Sequence, residues 1–250
     1  MHNAHASSYG PFVGIAKTNA LPLGSGATEG GLFLEASRIN HACNPNAQNT
    51  WNANLDQLTI HTFRDVEEGE EITISYLDGS KSYAARQLSL KTSFGFDCTC
   101  QLCSLPPAQR QQSDQRLDEI TRLDGLIGDG MRIVSTPVAC LYNAHALLRL
   151  LEEEGIADSR IPRLYYDALQ IVIANGDQAR ARVFAQRAYA ARVVCEGEDS
   201  PETIRLKGLA ERPAEHRLYG TSTRWKQAVK KVPQGLGERE FEDWLWRKRK

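Results

Sequence analysis

Short stretches of alternating apolar and polar residues in the first hundred positions predict β-strands. Leu58–Phe63 and Ile72–Tyr76 show this alternation and are rich in β-branched and aromatic residues. A further strand is predicted at about Gly31 to Ala36. Asn52–Asp56 has the composition of a hairpin loop, and Glu67–Glu70 that of a turn between the first two strands.

After about residue 113 the apolar positions take a helical spacing. Pro106-Pro107 and a polar stretch rich in Gln and Arg come before this change. Thr136-Pro137 has the form of a helix N-cap and first turn, and it predicts a helix of about 17 residues that ends before Gly155. Further helices are predicted at about 162–175, from Asp177 to near Gly197, and from Ser200 onward.

The two kinds of pattern predict an α+β protein with two domains. Helices joined by one or two turn residues must pack antiparallel, so the second half is expected to be a stack of helical hairpins similar to tetratricopeptide arrays, although no clean repeat is present. We predict domain limits at 1–105 and 114–212, a linker at 106–113 and a C-terminal segment at 213–250.

Composition is that of an ordinary folded protein. Of its 250 residues, 41% are apolar and 24% are charged, which excludes wholesale disorder and a fibrous protein. No run approaches eighteen apolar residues, and the first residues are neither basic nor apolar. We therefore expect no membrane span and a location inside the cell, in the nucleus or the cytoplasm.

Positive charge is concentrated at the C-terminus. The formal net charge is −1, but residues 221–250 carry 9 bases against 4 acids and end in Arg247–Lys250. This patch predicts at most weak binding to nucleic acid. We expect the four bases to stay in water while neighbouring aromatic residues anchor a last helix. These aromatic residues are Trp225, Phe241, Trp244 and Trp246.

Cysteine spacing indicates a metal centre. In a reducing compartment, cysteines serve more often as metal ligands or core residues than in disulfides. Cys140 and Cys195 lie in helical patterns and are predicted to be core residues. Cys98, Cys100 and Cys103 lie within six residues and could bind one zinc ion, whereas thiolates suit calcium and magnesium poorly. A loose group of free thiols, or a zinc site completed by a histidine, is the alternative.

Three motifs occur in order: Arg38–Asn46, Gly69–Tyr76 and Phe94–Cys103. Together they resemble the C-terminal half of a SET domain with its post-SET zinc site. The helices that follow resemble those of the SET and MYND domain lysine methyltransferases and their fungal relatives. The resemblance implies a partial β-rich SET domain with a zinc-bound post-SET segment, followed by an all-α tetratricopeptide-like domain.

The resemblance also implies the ligands of this site. Cys43 would complete the zinc site with Cys98, Cys100 and Cys103. The implied contacts to S-adenosylmethionine are Asn40, His41, Phe96 beside the adenine, and Asn19.

Tyr76 matches the family's catalytic tyrosine. Methyl transfer to a lysine amine requires a neutral amine, an in-line geometry and the exclusion of water. A tyrosine hydroxyl at the end of a strand can orient that amine. An ordinary strand-end tyrosine is the alternative, and paired-carboxylate catalysis at Glu67–Glu71 is not expected.

Only 39 residues precede Asn40, and they contain no counterpart of the family's early strands, glycine-rich loop or MYND insert. An incomplete gene model, a degenerate binding protein and a short enzyme would each account for this. The sequence therefore predicts a SET-type methyltransferase for a protein or peptide lysine, active if the missing part of the pocket is supplied. The alternative is an inactive, zinc-stabilised SET remnant that serves as an interaction module, with a protein partner on its helical domain.

Overall fold

The computed structural model describes residues 4–24, 26–79 and 81–248. Contacts between residues group the chain into two compact units. The first contains Met1–Asp118 together with Val194–Ser200, and the second contains Glu119–Val193 and Pro201–Lys250.

The first unit contains three separate pairs of short strands, together with helices. Its elements are α1 (Ala6–Asn19), β1 (Leu21–Pro22), β2 (Gly30–Gly31), β3 (Asn40–His41), β4 (Ala47–Asn52), β5 (Gln57–Thr62), β6 (Thr73–Ile74) and α2 (Tyr83–Phe94). β1 pairs antiparallel with β2, β4 pairs antiparallel with β5, and β3 pairs parallel with β6.

The strand predictions are confirmed in part. The strand at 58–63 is present as β5, and the loop before it forms a hairpin in which Asp56 has a φ of 54°. The predicted strand at 72–76 is only two residues long, because β6 pairs with the equally short β3. The prediction at 31–36 is wrong, since only Gly31 is paired and a 3₁₀ turn follows at Ala36–Arg38.

The β4–β5 hairpin is fixed by a segment far along the chain. Asn52 is fully buried, and its Nδ2 donates to Asp199 Oδ1 at 3.1 Å. Asn54 Nδ2 donates to the Asp199 carbonyl at 2.7 Å. These bonds explain why Val194–Ser200 belongs to the first unit.

The second half of the chain is helical. Its elements are α3 (Pro107–Gly128), α4 (Gly130–Ser135), α5 (Pro137–Glu153), α6 (Arg160–Ala174), α7 (Gln178–Glu196), α8 (Pro201–Glu211) and α9 (Glu238–Leu245). The predicted 17-residue helix is confirmed as α5, and Gly155 follows it with a φ of 65°. Asp177 caps α7 as predicted, because its Oδ1 accepts from Arg180 N at 3.1 Å. No side-chain capping bond is formed by Thr136.

The segment predicted as a linker differs from the structure. α3 begins at Pro107, so nearly all of 106–113 is helical. Proline is favourable in the first turn of a helix, and the Gln and Arg residues that follow are good helix formers. The polar composition of this segment is therefore that of an exposed helix. The domain limits given above stay a prediction.

Aromatic residues anchor the C-terminal helix, as expected. Trp246 is 3% exposed and lies between His145 and Phe184, with ring centroids 4.7 and 4.9 Å away. The expectation that all four terminal bases stay in water is wrong for Arg247. Its guanidinium lies over the Trp225 ring, 4.2 Å from the centroid. Arg249 and Lys250 lie outside the described residues.

Candidate active site and metal centre

Four cysteines come together in the first unit. The sulfurs of Cys43, Cys98, Cys100 and Cys103 all lie within 4.8 Å of one another. Cys43 Sγ is 3.9 Å from Cys98 Sγ and 3.5 Å from Cys103 Sγ. A tetrahedron of zinc–sulfur bonds of about 2.3 Å needs sulfurs about 3.8 Å apart. The donor set and its spacing therefore fit a structural zinc ion.

The three clustered cysteines lie in the loop after α2, which ends at Gly95 with a left-handed φ of 78°. The Gln87 side chain on α2 holds the start of this loop. Its Oε1 accepts from Cys98 N at 2.9 Å, and its Nε2 donates to Cys98 O at 2.8 Å. The sequence analysis missed Gln87, because nothing in the spacing of Gln87 and Cys98 indicates this contact.

The cysteines share protons within the cluster. Hydrogen bonds from Cys103 and Cys43 lower the pKa of the Cys100 thiol, and the bond to Cys100 raises the pKa of Cys43. Burial raises the pKa of Cys98 to about 12. A divalent cation would replace these protons and favour four thiolates, as is usual at cysteine-bound metal sites.

Asn46 joins the first motif to the second. This buried side chain donates through Nδ2 to Glu71 O at 2.9 Å and accepts through Oδ1 from Thr73 N at 2.9 Å. Glu70 Oε1 also accepts from Nδ2, at 3.1 Å. The pKa of Glu70 is lowered to about 2, chiefly by its bond to Arg64. Asn46 thereby holds the start of the Glu71–Tyr76 stretch against its own segment, a role that the sequence analysis missed.

Tyr76 lies in an aromatic cluster next to β3. Its ring centroid is 4.9 Å from that of Phe94 and 6.5 Å from that of Phe96. The hydroxyl donates to the Ile39 carbonyl at 2.6 Å. Burial raises the pKa of this partly buried tyrosine, so that the hydroxyl keeps its proton at neutral pH.

Both ring nitrogens of His41 contact other groups of the protein. Nδ1 accepts from Tyr76 N at 3.0 Å, and Nε2 lies 3.3 Å from Cys43 Sγ. Burial lowers the pKa of the imidazole. The adjacent Asn40 is exposed, and its Nδ2 donates to Glu71 Oε1 at 2.6 Å.

The other two predicted cofactor residues are placed differently. Phe96 lies beside His41, with ring centroids 6.3 Å apart, and is partly exposed. Asn19 is at the end of α1, where its Nδ2 donates to Ile15 O at 2.8 Å. Asn40, His41, Phe96 and Tyr76 thus lie close together, whereas the side-chain amide of Asn19 bonds within its own helix and its carbonyl accepts from Ser37 Oγ at 3.0 Å.

Paired short strands, an Asn-His-x-Cys segment and a four-cysteine cluster closed by the segment after α2 are the features of a SET domain followed by a post-SET segment. A model of the SET domain matches residues 10–77, a stretch that holds the first two motifs and ends before Cys98. The chain belongs to the SET-domain family, which confirms the resemblance and the α+β class with a helical second half.

Relatives include several proteins named as lysine methyltransferases. The chain is 34% identical to histone-lysine N-methyltransferase set5 of Schizosaccharomyces pombe, over 98% of this chain and 75% of that protein. It is 46% identical to histone-lysine N-methyltransferase ATXR4 of Arabidopsis thaliana, over 32% of this chain and 24% of that protein. Human histone-lysine N-methyltransferase SMYD3 is 34% identical over 36% of this chain and 19% of its own length.

Proposed function

We propose that this protein is an S-adenosylmethionine-dependent methyltransferase that acts on a lysine of a protein or peptide substrate. The observation that carries the proposal is the hydroxyl of Tyr76. Its proton is donated to the Ile39 carbonyl, so the oxygen lone pairs remain to accept from an incoming amine. A hydroxyl held in this way can orient a lysine nitrogen for in-line attack.

The surroundings of Tyr76 suit a neutral amine. The rings of Phe94 and Phe96 form an apolar wall, which disfavours water and a charged ammonium group. S-adenosylmethionine supplies the methyl group when it is bound. We assign its binding to the Phe96 ring, which offers a flat apolar surface for adenine, and to the exposed Asn40 with its neighbour His41.

Zinc would have a structural role in this proposal. Cys43 follows β3, and the other three cysteines follow α2, so one ion would hold the Asn40–His41 segment against the loop that carries Phe96. We propose zinc as the resident metal, because four thiolates at this spacing suit it best.

Tritiated methyl transfer tests the proposed function. The full chain is incubated with labelled S-adenosylmethionine and with core histones, which the names of the relatives suggest as a first substrate. Tyr76→Phe should reduce transfer by about 100-fold, since lost orientation at the reacting atoms has effects of this size. Tyr83→Phe is the matched control, because it removes another hydroxyl from the same apolar cluster and should leave the rate nearly unchanged.

Calorimetry with S-adenosylmethionine separates binding from transfer. Tyr76→Phe should still bind the cofactor, whereas Asn40→Ala should bind it more weakly. A wild-type chain that neither binds the cofactor nor methylates any protein offered would contradict the proposal and favour the interaction module, with its partner on the helical unit.

None of the helices in the described part of the chain is long and apolar enough to cross a membrane. A nuclear or cytoplasmic location is part of the proposal.

A further inference from the structure

We propose that His41 is a positioning residue that connects the metal centre to the backbone of Tyr76. One ring nitrogen faces the sulfur of Cys43 and the other faces the Tyr76 amide, at 3.3 and 3.0 Å. The proposal deepens the proposed function and rests on its zinc site. It gives the two ring nitrogens of His41 roles toward the metal and the tyrosine, so the cofactor contact proposed above would involve other atoms of this residue.

The geometry fixes which nitrogen carries the ring proton. A backbone N–H can only donate, so Nδ1 must present its lone pair to Tyr76 N. A neutral imidazole then has its single proton on Nε2, which is directed at Cys43 Sγ. The ring therefore donates to the sulfur and accepts from the amide at the same time.

The bond to Cys43 has a chemical consequence for the metal. A sulfur that accepts an N–H bond is favoured as the thiolate, which is the form that binds a metal, and its direction is fixed. Groups that hold metal ligands in this way typically change metal affinity by about 10- to 100-fold when they are removed. His41 should therefore contribute to zinc binding without being a ligand.

The bond to Tyr76 replaces a missing strand partner. The β3–β6 pair contains only Asn40 with Thr73 and His41 with Ile74, so Tyr76 lies beyond its end. The His41 ring takes the place of the backbone acceptor that a longer strand would have supplied. Since the Tyr76 hydroxyl is bonded to Ile39 O, both ends of the tyrosine are fixed by the segment 39–41.

Two substitutions separate the two halves of this role. In His41→Gln, the side-chain amide nitrogen can reach the position of Nε2 and donate to Cys43, but the acceptor at Nδ1 is lost. In His41→Asn, the side-chain oxygen can take the position of Nδ1, but the donor to sulfur is lost. His41→Ala removes both, and His61→Gln on β5 is the control at a histidine outside the cysteine cluster.

Metal binding tests the sulfur side. Zinc affinity is measured by competition with a chromogenic chelator, and the cobalt(II) form is measured by its sulfur-to-metal charge-transfer band. His41→Ala and His41→Asn should bind zinc about 10- to 100-fold more weakly and shift the cobalt band. His41→Gln and His61→Gln should remain close to the wild type in both measurements.

Hydrogen exchange of the Tyr76 amide tests the other side. In the zinc-loaded protein this amide should exchange at least about 10-fold faster in His41→Gln and His41→Ala than in the wild type, and remain protected in His41→Asn. Circular dichroism checks folding, and if His41→Ala does not fold, the Gln and Asn pair still decides the question.

Unchanged zinc affinity together with unchanged Tyr76 exchange in the folded variants would overturn the inference. A wild-type chain that binds neither zinc nor cobalt would overturn it too, along with the proposed metal. Because neither readout uses methyl transfer, a metal-loaded chain that shows both His41 effects but no transferase activity would contradict only the proposed function.

Discussion

Cys43 connects two parts of the sequence that are far apart, since it lies 55 residues before Cys98. Replacing it with serine removes one proposed zinc ligand. We expect Cys43→Ser to lose its equivalent of zinc and several kcal/mol of stability, because binding of structural zinc is coupled to folding. Elemental analysis and urea denaturation measure the two effects.

Cys140→Ser provides the matched control. Cys140 is fully buried in α5, outside the four-cysteine cluster, so its replacement should leave zinc content at the wild-type value even if it lowers stability. Stoichiometric zinc in Cys43→Ser would show that this residue is not a required ligand.

Asp167 predicts a pH dependence in the helical unit. Burial raises the pKa of this carboxyl to about 6, from 3.8. Between these two values the unfolded chain has already released the proton that the folded chain keeps, so this group makes the protein less stable as the pH rises. Asp167→Asn should therefore be more stable than the wild type at pH 7, by roughly 1–3 kcal/mol.

The difference between Asp167→Asn and the wild type should become small at the acid end, near pH 3.5, where the carboxyl is mostly protonated in both states. Urea denaturation from pH 3.5 to 7.5 measures it. A variant whose advantage does not change with pH would contradict the raised pKa. Gln170, which donates to Asp167 Oδ1 at 3.1 Å, is left in place so that the asparagine oxygen can accept the same bond.

Within the candidate site, sequence alone could identify those residues whose side-chain type indicates their chemistry. Clustered thiols indicate a metal wherever the loop lies, so the three cysteines near residue 100 could be found from their spacing. The contacts of Asn46 and His41 could not, because a hydrogen bond between distant side chains depends on how β3 and β6 pair. Asparagine and histidine in a turn-rich segment have many other partners available.

The helices could be predicted more completely than the strands, because a strand depends on a partner elsewhere in the chain. α5 has its apolar stripe, its proline and its terminal glycine within its own residues, so its length could be predicted locally. β4 has the sequence Ala-Gln-Asn-Thr-Trp-Asn, which does not alternate, and it is a strand because it pairs with β5. α1 contains Gly10 in a non-helical conformation and Pro11, two residues that normally indicate a helix break.

The C-terminal helix depends on one tryptophan more than on its neighbours. Trp246 packs between His145 and Phe184 and donates through Nε1 to Glu242 at 3.1 Å. Trp246→Ala should lower the free energy of unfolding by about 3–5 kcal/mol, as is usual when a buried large aromatic side chain is truncated. Chemical denaturation of the full chain measures this.

Trp244→Ala is the comparison, because Trp244 lies in α9 two residues before Trp246, which directly follows that helix. Trp244 is only partly buried and stacks with the Arg180 guanidinium, 4.5 Å from the ring centroid. Its loss should cost only about 1–2 kcal/mol, the range of such cation–π contacts. Equal effects of the two substitutions would show that burial does not distinguish these rings.

On the scale of the whole molecule, the first unit is discontinuous, because it takes in Val194–Ser200. Asp199→Ala tests how much this segment contributes to it. The substitution leaves the buried Asn52 amide without its acceptor, so the free energy of unfolding should fall by about 1–3 kcal/mol. A double-mutant cycle with Asn52→Ala should show coupling of at least about 0.5 kcal/mol, and purely additive effects would contradict it.

The bond between Asn52 and Asp199 also constrains the order in which parts of the chain can fold during synthesis. The two residues are 147 positions apart, and a ribosome delivers the hairpin long before it delivers its acceptor. While α3 to α7 are being made, the Asn52 amide must remain with water or with a temporary partner. Contacts of such long range slow folding, because loop closure is completed before they contribute. The first unit therefore cannot be complete until the residues around Asp199 have been synthesised.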